Sequence, residues 1–246
     1  MENAIQWLRS LFYVGQVYLM MPVMAVFFVP MTLISRKWAW RATRTWCRYA
    51  RWSASWMVGL RSEVRGEVPQ GEVLIAAKHQ SFFDIIILVS VLPRPKFIMK
   101  KELVRAPVLG WFALRMGCVP VERGKRSQAI QQMMAGVASG RQMPGQLVIY
   151  PQGTRVPPGK YLPYKIGTAL LYEQLGQECV PVAVNVGLFW PKAGIMRRPG
   201  TAVVEFLPPI PPGRPREEFM AELERTIESN SERLMAEAGF EAGREG

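Results

Sequence analysis

His79 is the only histidine and Asp84 the only aspartate in a chain of 246 residues. They stand five apart in Lys78-His79-Gln80-Ser81-Phe82-Phe83-Asp84, directly after the apolar run Val73-Leu-Ile-Ala-Ala77. An imidazole exchanges protons near neutral pH, and a carboxylate that accepts its Nδ1 proton leaves Nε2 free to act as a base. On one continuous helix a spacing of five rotates the two side chains about 140° apart. They meet only if His79 lies in a strand-to-helix turn and Asp84 in the first helical turn. Ser81-x-x-Asp84 is a capping-box pattern that starts a helix at Ser81 and permits this arrangement. The same pattern also describes a carboxylate that only caps a helix beside a packed histidine. No Gly-x-Ser-x-Gly elbow is present, so a nucleophilic serine is not indicated. Cys118 follows Gly117, but with the one histidine assigned elsewhere it reads as a small core residue. Cys47, Cys118 and Cys179 form neither a disulfide framework nor a metal spacing, which favours a reducing compartment and no metal site.

These residues require elements to position them. From about Arg61 onward short β-branched runs alternate with helical patterns: Val73–Ala77, Lys96–Met99, Gln146–Tyr150, Val180–Val184 and Thr201–Phe206 as strands. Helices are predicted over Asp84–Val91, over Ser127–Ser139 and within Pro163–Leu175. That alternation predicts an α/β domain, 61–215, with a largely buried sheet, closed by the proline run Pro208 to Pro215. Residues 216–246, with nine Glu against four Arg, predict a solvated amphipathic helix and an acidic tail.

The first 60 residues differ in texture and predict a membrane-anchoring helical segment. No charge interrupts Ser10 to Ser35, an apolar stretch of 26 residues, long enough to enter or cross a bilayer. Pro22 and Pro30 predict kinks that allow single-leaflet insertion as an alternative to spanning. Over residues 38–58, Arg41, Arg44, Arg48 and Arg51 share one helical face, while Trp38, Trp46, Tyr49, Trp52 and Trp56 gather on another. This predicts a basic, Trp-rich interfacial helix. The net charge of +12 attracts anions of any kind, but basic residues that open on an apolar run argue against a nucleic-acid partner.

At His79 and Asp84 the chain resembles the glycerolipid acyltransferases of phospholipid synthesis, most closely the 1-acylglycerol-3-phosphate acyltransferases, whose first motif has His and Asp with this spacing. Gly117-Cys118-Val119-Pro120-Val121-Glu122-Arg123 resembles the second motif. Tyr150-Pro151-Gln152-Gly153-Thr154-Arg155 resembles the third, usually Phe-Pro-Glu-Gly-Thr-Arg, and Val180-Pro181-Val182-Ala183 resembles the fourth. The likeness runs in order from about residue 60 to Ile210.

The resemblance implies a mixed α/β sheet flanked by helices and preceded by a membrane-associated helical pair. It implies acyl transfer from an acyl-carrier-protein or coenzyme A thioester to the 2-hydroxyl of lysophosphatidate, giving phosphatidate, with no cofactor beyond the acyl donor. His79 and Asp84 are the implied catalytic residues. Arg123 and Arg155 are the implied phosphate ligands, guanidinium forks being suited to phosphate, with Gly153 and Thr154 shaping the turn beside them. Gln152, Lys125 and Lys165 are supporting candidates, and Gln152 departs from the usual Glu. Another lysolipid acceptor, such as a lyso-ornithine lipid, and a non-catalytic lipid-binding role are the alternatives. The Lys and Arg that follow the apolar run place the domain on the cytoplasmic face of the inner membrane, held integrally or monotopically.

Overall fold

The computed structural model describes residues 2–121, 131 and 144–240. The predicted helix over Ser127–Ser139 lies outside the described residues except for Gln131, which is helical.

The first two elements form an antiparallel helical hairpin. Helix α1 (Glu2–Ile34) and helix α2 (Lys37–Met57) turn at Ser35 and Arg36. Tyr13 Oη donates to the Ala50 carbonyl (3.0 Å), Trp46 Nε1 to the Val17 carbonyl (3.0 Å) and Gln16 Nε2 to Ser53 Oγ (3.1 Å). Pro22 and Pro30 both lie inside α1, which continues through them as one helix of 33 residues, so no break separates two half-helices. The prolines remove two backbone donors, but packing against α2 holds the first half of α1, and Arg115 Nη1 grips the Thr32 carbonyl (2.9 Å) near its end.

Helix α2 departs from the expected four-arginine face. Arg41 and Arg48 are exposed, whereas Arg44 Nη2 donates to the carbonyls of Leu92 (2.8 Å) and Pro93 (2.6 Å). Arg51 donates to Ser62 Oγ (2.8 Å) and Ser90 Oγ (2.7 Å). Trp46 likewise is buried against α1, while Trp52 and Trp56 remain exposed. Angular position on a helix does not say which arc a neighbour covers: α2 is flanked by α1 on one side and by the catalytic domain on the other.

Among the described residues seven strands follow: β1 (Leu60–Arg65), β2 (Leu74–Ala77), β3 (Lys96–Lys100), β4 (Val119–Val121), β5 (Leu147–Ile149), β6 (Cys179–Val184) and β7 (Gly200–Phe206). Their order across the sheet is β1-β7-β6-β2-β5-β3-β4. All pairings are parallel except β6 with β7, so the sheet is mixed, as expected. Strands β1 and β4 were not among the expected ones. β1 (LRSEVR) is polar on one side, and β4 has three residues, so neither carries a long apolar run.

Helices α3 (Phe82–Val91), α4 (Leu109–Met116), α5 (Gly167–Leu175) and α6 (Arg216–Glu237) complete the domain. Alternation along the strands divides the core by face. Ile75, Ala77, Val148, Val180 and Val182 pack with α1, α2 and α3, and Leu74, Ala76, Leu147 and Ile149 pack with α5 and α6. The expected solvated acidic helix is therefore a core element. Phe219, Leu223, Ile227 and Leu234 of α6 are fully buried, each worth about 1.5–3 kcal/mol of apolar burial. The acidic residues lie between these apolar ones, and the apolar face of the amphipathic pattern packs on the sheet.

Candidate active site

Two neighbouring parallel strands bring the chemistry together. Ala76 of β2 is in register with Ile149 of β5, so the chain leaves both strands side by side and delivers His79 next to Tyr150. The carboxyl edge of a parallel sheet, where strands emerge without their own ladder partners, is where such folds hold ligands.

Immediately after β2 the capping box forms. Ser81 Oγ accepts from Phe83 N (3.1 Å), and Asp84 Oδ2 accepts from Ser81 N (2.8 Å) and Gln80 N (3.0 Å). Asp84 also faces the histidine: His79 Nδ1 lies 3.0 Å from Oδ1 and 3.1 Å from Oδ2. One carboxylate thus both caps α3 and holds the imidazole. Asp84 is fully buried, while His79 keeps 13% of its side chain accessible. Among the described residues, Nε2 has no hydrogen-bond partner. A carboxylate already holding two backbone N–H groups cannot swing, so it fixes the histidine tautomer and ring direction together.

The histidine's own backbone is tied down on both sides. Val156 N donates to its carbonyl (2.7 Å), and the preceding residue, Lys78, is a buried ammonium bound to both oxygens of Glu228 on α6 (2.6 and 2.5 Å). Tyr164 Oη adds a third donor to Glu228 (2.8 Å). Gln80 Oε1 takes the Gly187 N–H (2.9 Å), a contact so close that a Cβ at Gly187 would stand 2.8 Å from that of Gln80. None of these partners was legible beforehand, because Lys78 and Glu228 are 150 residues apart.

His79 opens into a cavity of about 840 Å³. Met21 and Met24 of α1, Ile86 and Val89 of α3, and Phe112 and Met116 of α4 are among its apolar walls. Gly153, Thr154, Arg155 and Lys192 supply a polar portion. Cys118 lies in the wall, buried, with its thiol pushed up to about 11 by desolvation, which fits a packed residue and not a nucleophile. Trp190 stacks on Phe83 (centroids 5.0 Å) and carries Arg197 over its ring at 4.1 Å. Arg197 Nη1 donates to the carbonyls of Gly194, Ile195 and Met196, and burial lowers its guanidinium to about 10. This loop carries no periodic signal in the sequence, yet it closes one side of the cavity.

The third-motif turn places its residues unequally. Gly153 has φ +70°, and Lys165 Nζ lies over it, 2.7 Å from where a Cβ would stand. Arg155 lines the cavity and is steadied by a bond from Nη1 to the Lys192 carbonyl (3.0 Å). Gln152 points away: it is buried, and its Nε2 donates to the Leu162 carbonyl (2.9 Å). Arg123 and Lys125 lie outside the described residues. The structure thus brings His79, Asp84, Gly153, Thr154 and Arg155 to one place, with Lys165 beside them and Gln152 behind.

With that geometry in hand, comparison with known proteins is decisive. A family model described as Acyltransferase matches residues 61–185. The 1-acyl-sn-glycerol-3-phosphate acyltransferase of Pseudomonas aeruginosa is 30% identical over 196 residues, covering 79% of this chain and 76% of that protein. The chain belongs to the acyltransferase family. The enzyme of the same name from Saccharomyces cerevisiae is 34% identical over 161 residues, covering 63% of this acyltransferase and 53% of the yeast protein. The crystal structure of the 1-acyl-sn-glycerophosphate (LPA) acyltransferase PlsC from Thermotoga maritima superimposes with a TM-score of 0.80 at 19% identity, over 96% of this chain and 100% of that one. The last comparison bears on the fold: the acyltransferase has the mixed sheet and the helical hairpin as one arrangement.

Proposed function

We propose that this acyltransferase moves a fatty acyl group from an acyl thioester to the 2-hydroxyl of 1-acylglycerol-3-phosphate, giving phosphatidate. The observation that carries the reading is the His79–Asp84 pair, 3.0 Å apart, opening into a large cavity with long apolar walls. A catalytic base at one point of such a space suits substrates that join a reactive polar group to a hydrocarbon chain. The names and lengths matched in the relatives supply the acceptor.

In this reading Nε2 of His79 takes the hydroxyl proton as the hydroxyl oxygen attacks the thioester carbonyl carbon. The tetrahedral intermediate collapses with cleavage of the C–S bond, and the imidazolium returns its proton to the departing thiolate. Asp84 remains a carboxylate throughout and stabilises the imidazolium. The reaction needs two substrates and no cofactor. Arg155, with Arg123, holds the acceptor phosphate, and the Gly153–Thr154 turn offers backbone N–H groups to the same anion. The thiol carrier is coenzyme A or acyl carrier protein.

Helix α1 supports work at a membrane. It is long and apolar enough to cross one, and only 17% of its most apolar window is buried. Phe12, Leu19, Val26, Phe27 and Ile34 expose more than half of their surface. The basic residues after it favour the cytoplasmic face of the inner membrane.

Purified protein supplied with both thioesters and a panel of phosphorylated, ornithine-containing and uncharged lysolipids tests this. Expected is transfer to lysophosphatidate, with Arg155→Ala raising KM for it about tenfold or more, as loss of a charge-assisted contact worth about 1.5–3 kcal/mol requires. Preference for a lysolipid without phosphate, or no transfer to any acceptor, overturns the proposal.

A further inference from the structure

Tyr150 touches both members of the pair. Its ring stacks on the imidazole of His79, with centroids 3.9 Å apart and planes 18° from parallel, and Phe97 backs it at 6.4 Å and 25°. Its hydroxyl donates to Asp84 Oδ1 at 3.3 Å. Burial first, and the Asp84 charge second, push the phenol well above its usual range, so it stays protonated and remains a donor.

With this contact every acceptor direction of Asp84 is used. Oδ2 takes the N–H groups of Gln80 and Ser81, and Oδ1 takes the imidazole and the phenol. We propose that Tyr150 is a positioning residue that shares the Asp84 carboxylate with His79, its ring fixing the plane of the imidazole and its hydroxyl tempering the imidazole's basicity. The first effect is steric: a histidine pressed flat against another ring cannot rotate without losing that contact. The second is electrostatic. An anionic carboxylate favours the charged imidazolium, and a hydrogen bond that spreads the carboxylate charge weakens that pull.

Other charged groups near the site do not take over this function. Lys100, Arg155, Lys192 and Arg197 line the cavity, and Lys78 is neutralised by Glu228 behind the histidine. Among the described contacts, only Tyr150 bonds to Asp84 without belonging to the 79–84 segment.

The inference rests on the proposed role of His79 as base, and one arm of the test is independent of that role. His79 is the only histidine, so its ring signals can be followed by NMR in the full-length protein in micelles without any assignment problem. Tyr150→Phe keeps the stack and removes the hydroxyl. Its histidine titration should move to higher pH by about half a pH unit or more. The acidic limb of kcat/KM should move with it, while kcat at high pH stays within about threefold of the unaltered enzyme. Tyr150→Leu removes the stack as well, and should lower kcat about tenfold or more at every pH with acceptor KM within about twofold. An unmoved histidine titration in Tyr150→Phe overturns the electrostatic half, whatever reaction the protein performs. Unchanged kcat in folded Tyr150→Leu, or a rise in KM with kcat intact, overturns the positioning half.

Discussion

A single carboxylate with two duties makes the residue scale unusually testable here. Asp84 caps α3 through Oδ2 and faces His79 mainly through Oδ1, so substitutions at the two positions separate chemistry from folding. His79→Ala should lower kcat by about a hundredfold to ten-thousandfold, because no second histidine can replace the base, with a smaller fall in melting temperature than at Asp84 since the capping bonds of α3 remain. Asp84→Asn should lower both activity and melting temperature, since an amide accepts fewer of the four donors and its NH₂ group faces donors with no acceptor to receive it. Thermal unfolding by circular dichroism beside single-turnover kinetics distinguishes the two patterns. Gln152→Glu restores the usual family residue, but here it replaces a buried donor to the Leu162 carbonyl with an acceptor. The expected result is a loss of about 1–3 kcal/mol of stability, read as a lower melting temperature, with kcat within about tenfold. A higher melting temperature would show that the carboxylate finds a new donor, for which Lys165 near Gly153 is the candidate.

The element scale turns on α2. Its Arg44 and Arg51 fasten the hairpin to the catalytic domain through the end of α3 and through β1, while Arg41 and Arg48 do not share those contacts. Arg44→Gln and Arg51→Gln should each destabilise the protein, because carbonyls and hydroxyls at the junction lose a charged donor worth about 1.5–3 kcal/mol. Arg41→Gln and Arg48→Gln should leave the free energy of unfolding within about 0.5 kcal/mol of unchanged, as exposed substitutions do. Equal effects at all four positions would mean that the helix faces its surroundings uniformly. The link has a consequence for catalysis, since α1, α2 and α3 all contribute to the cavity into which His79 opens.

At the scale of the whole molecule, the hairpin presents an apolar side and gathers tryptophans at one end. Arg9 donates to the carbonyls of Met57 (2.7 Å) and Trp56 (3.4 Å), which brings the start of α1, where Trp7 is exposed, to the end of α2 that carries the exposed Trp52 and Trp56. Indoles at such a position suit the boundary between hydrocarbon and water. Replacing Trp52 and Trp56 together with Ser should weaken flotation with vesicles while leaving turnover on detergent-dispersed substrate within about twofold. Retained flotation would assign membrane attachment to α1 alone. Residues of the hairpin and of the sheet edge both line the cavity into which His79 opens.

Much of this was already present in the order of residues. Ser81-x-x-Asp84 encodes its cap locally, the buried parallel strands are short apolar runs, and the sole histidine meets the sole aspartate across the same turn; all three depend on neighbours within a few positions. Long-range partners are another matter. The sequence does not say that Tyr150 would stack on His79, because their adjacency comes from the register of β2 against β5. Nor does it say that Glu228 would neutralise Lys78, or that Arg44 and Arg51 would turn inward while Arg41 and Arg48 stay out. The acidic C-terminal helix read as solvated because its charges outnumber the apolar residues that bury it. Periodicity specifies which side chains share a face, but only the packing of elements far apart in the chain decides what that face meets.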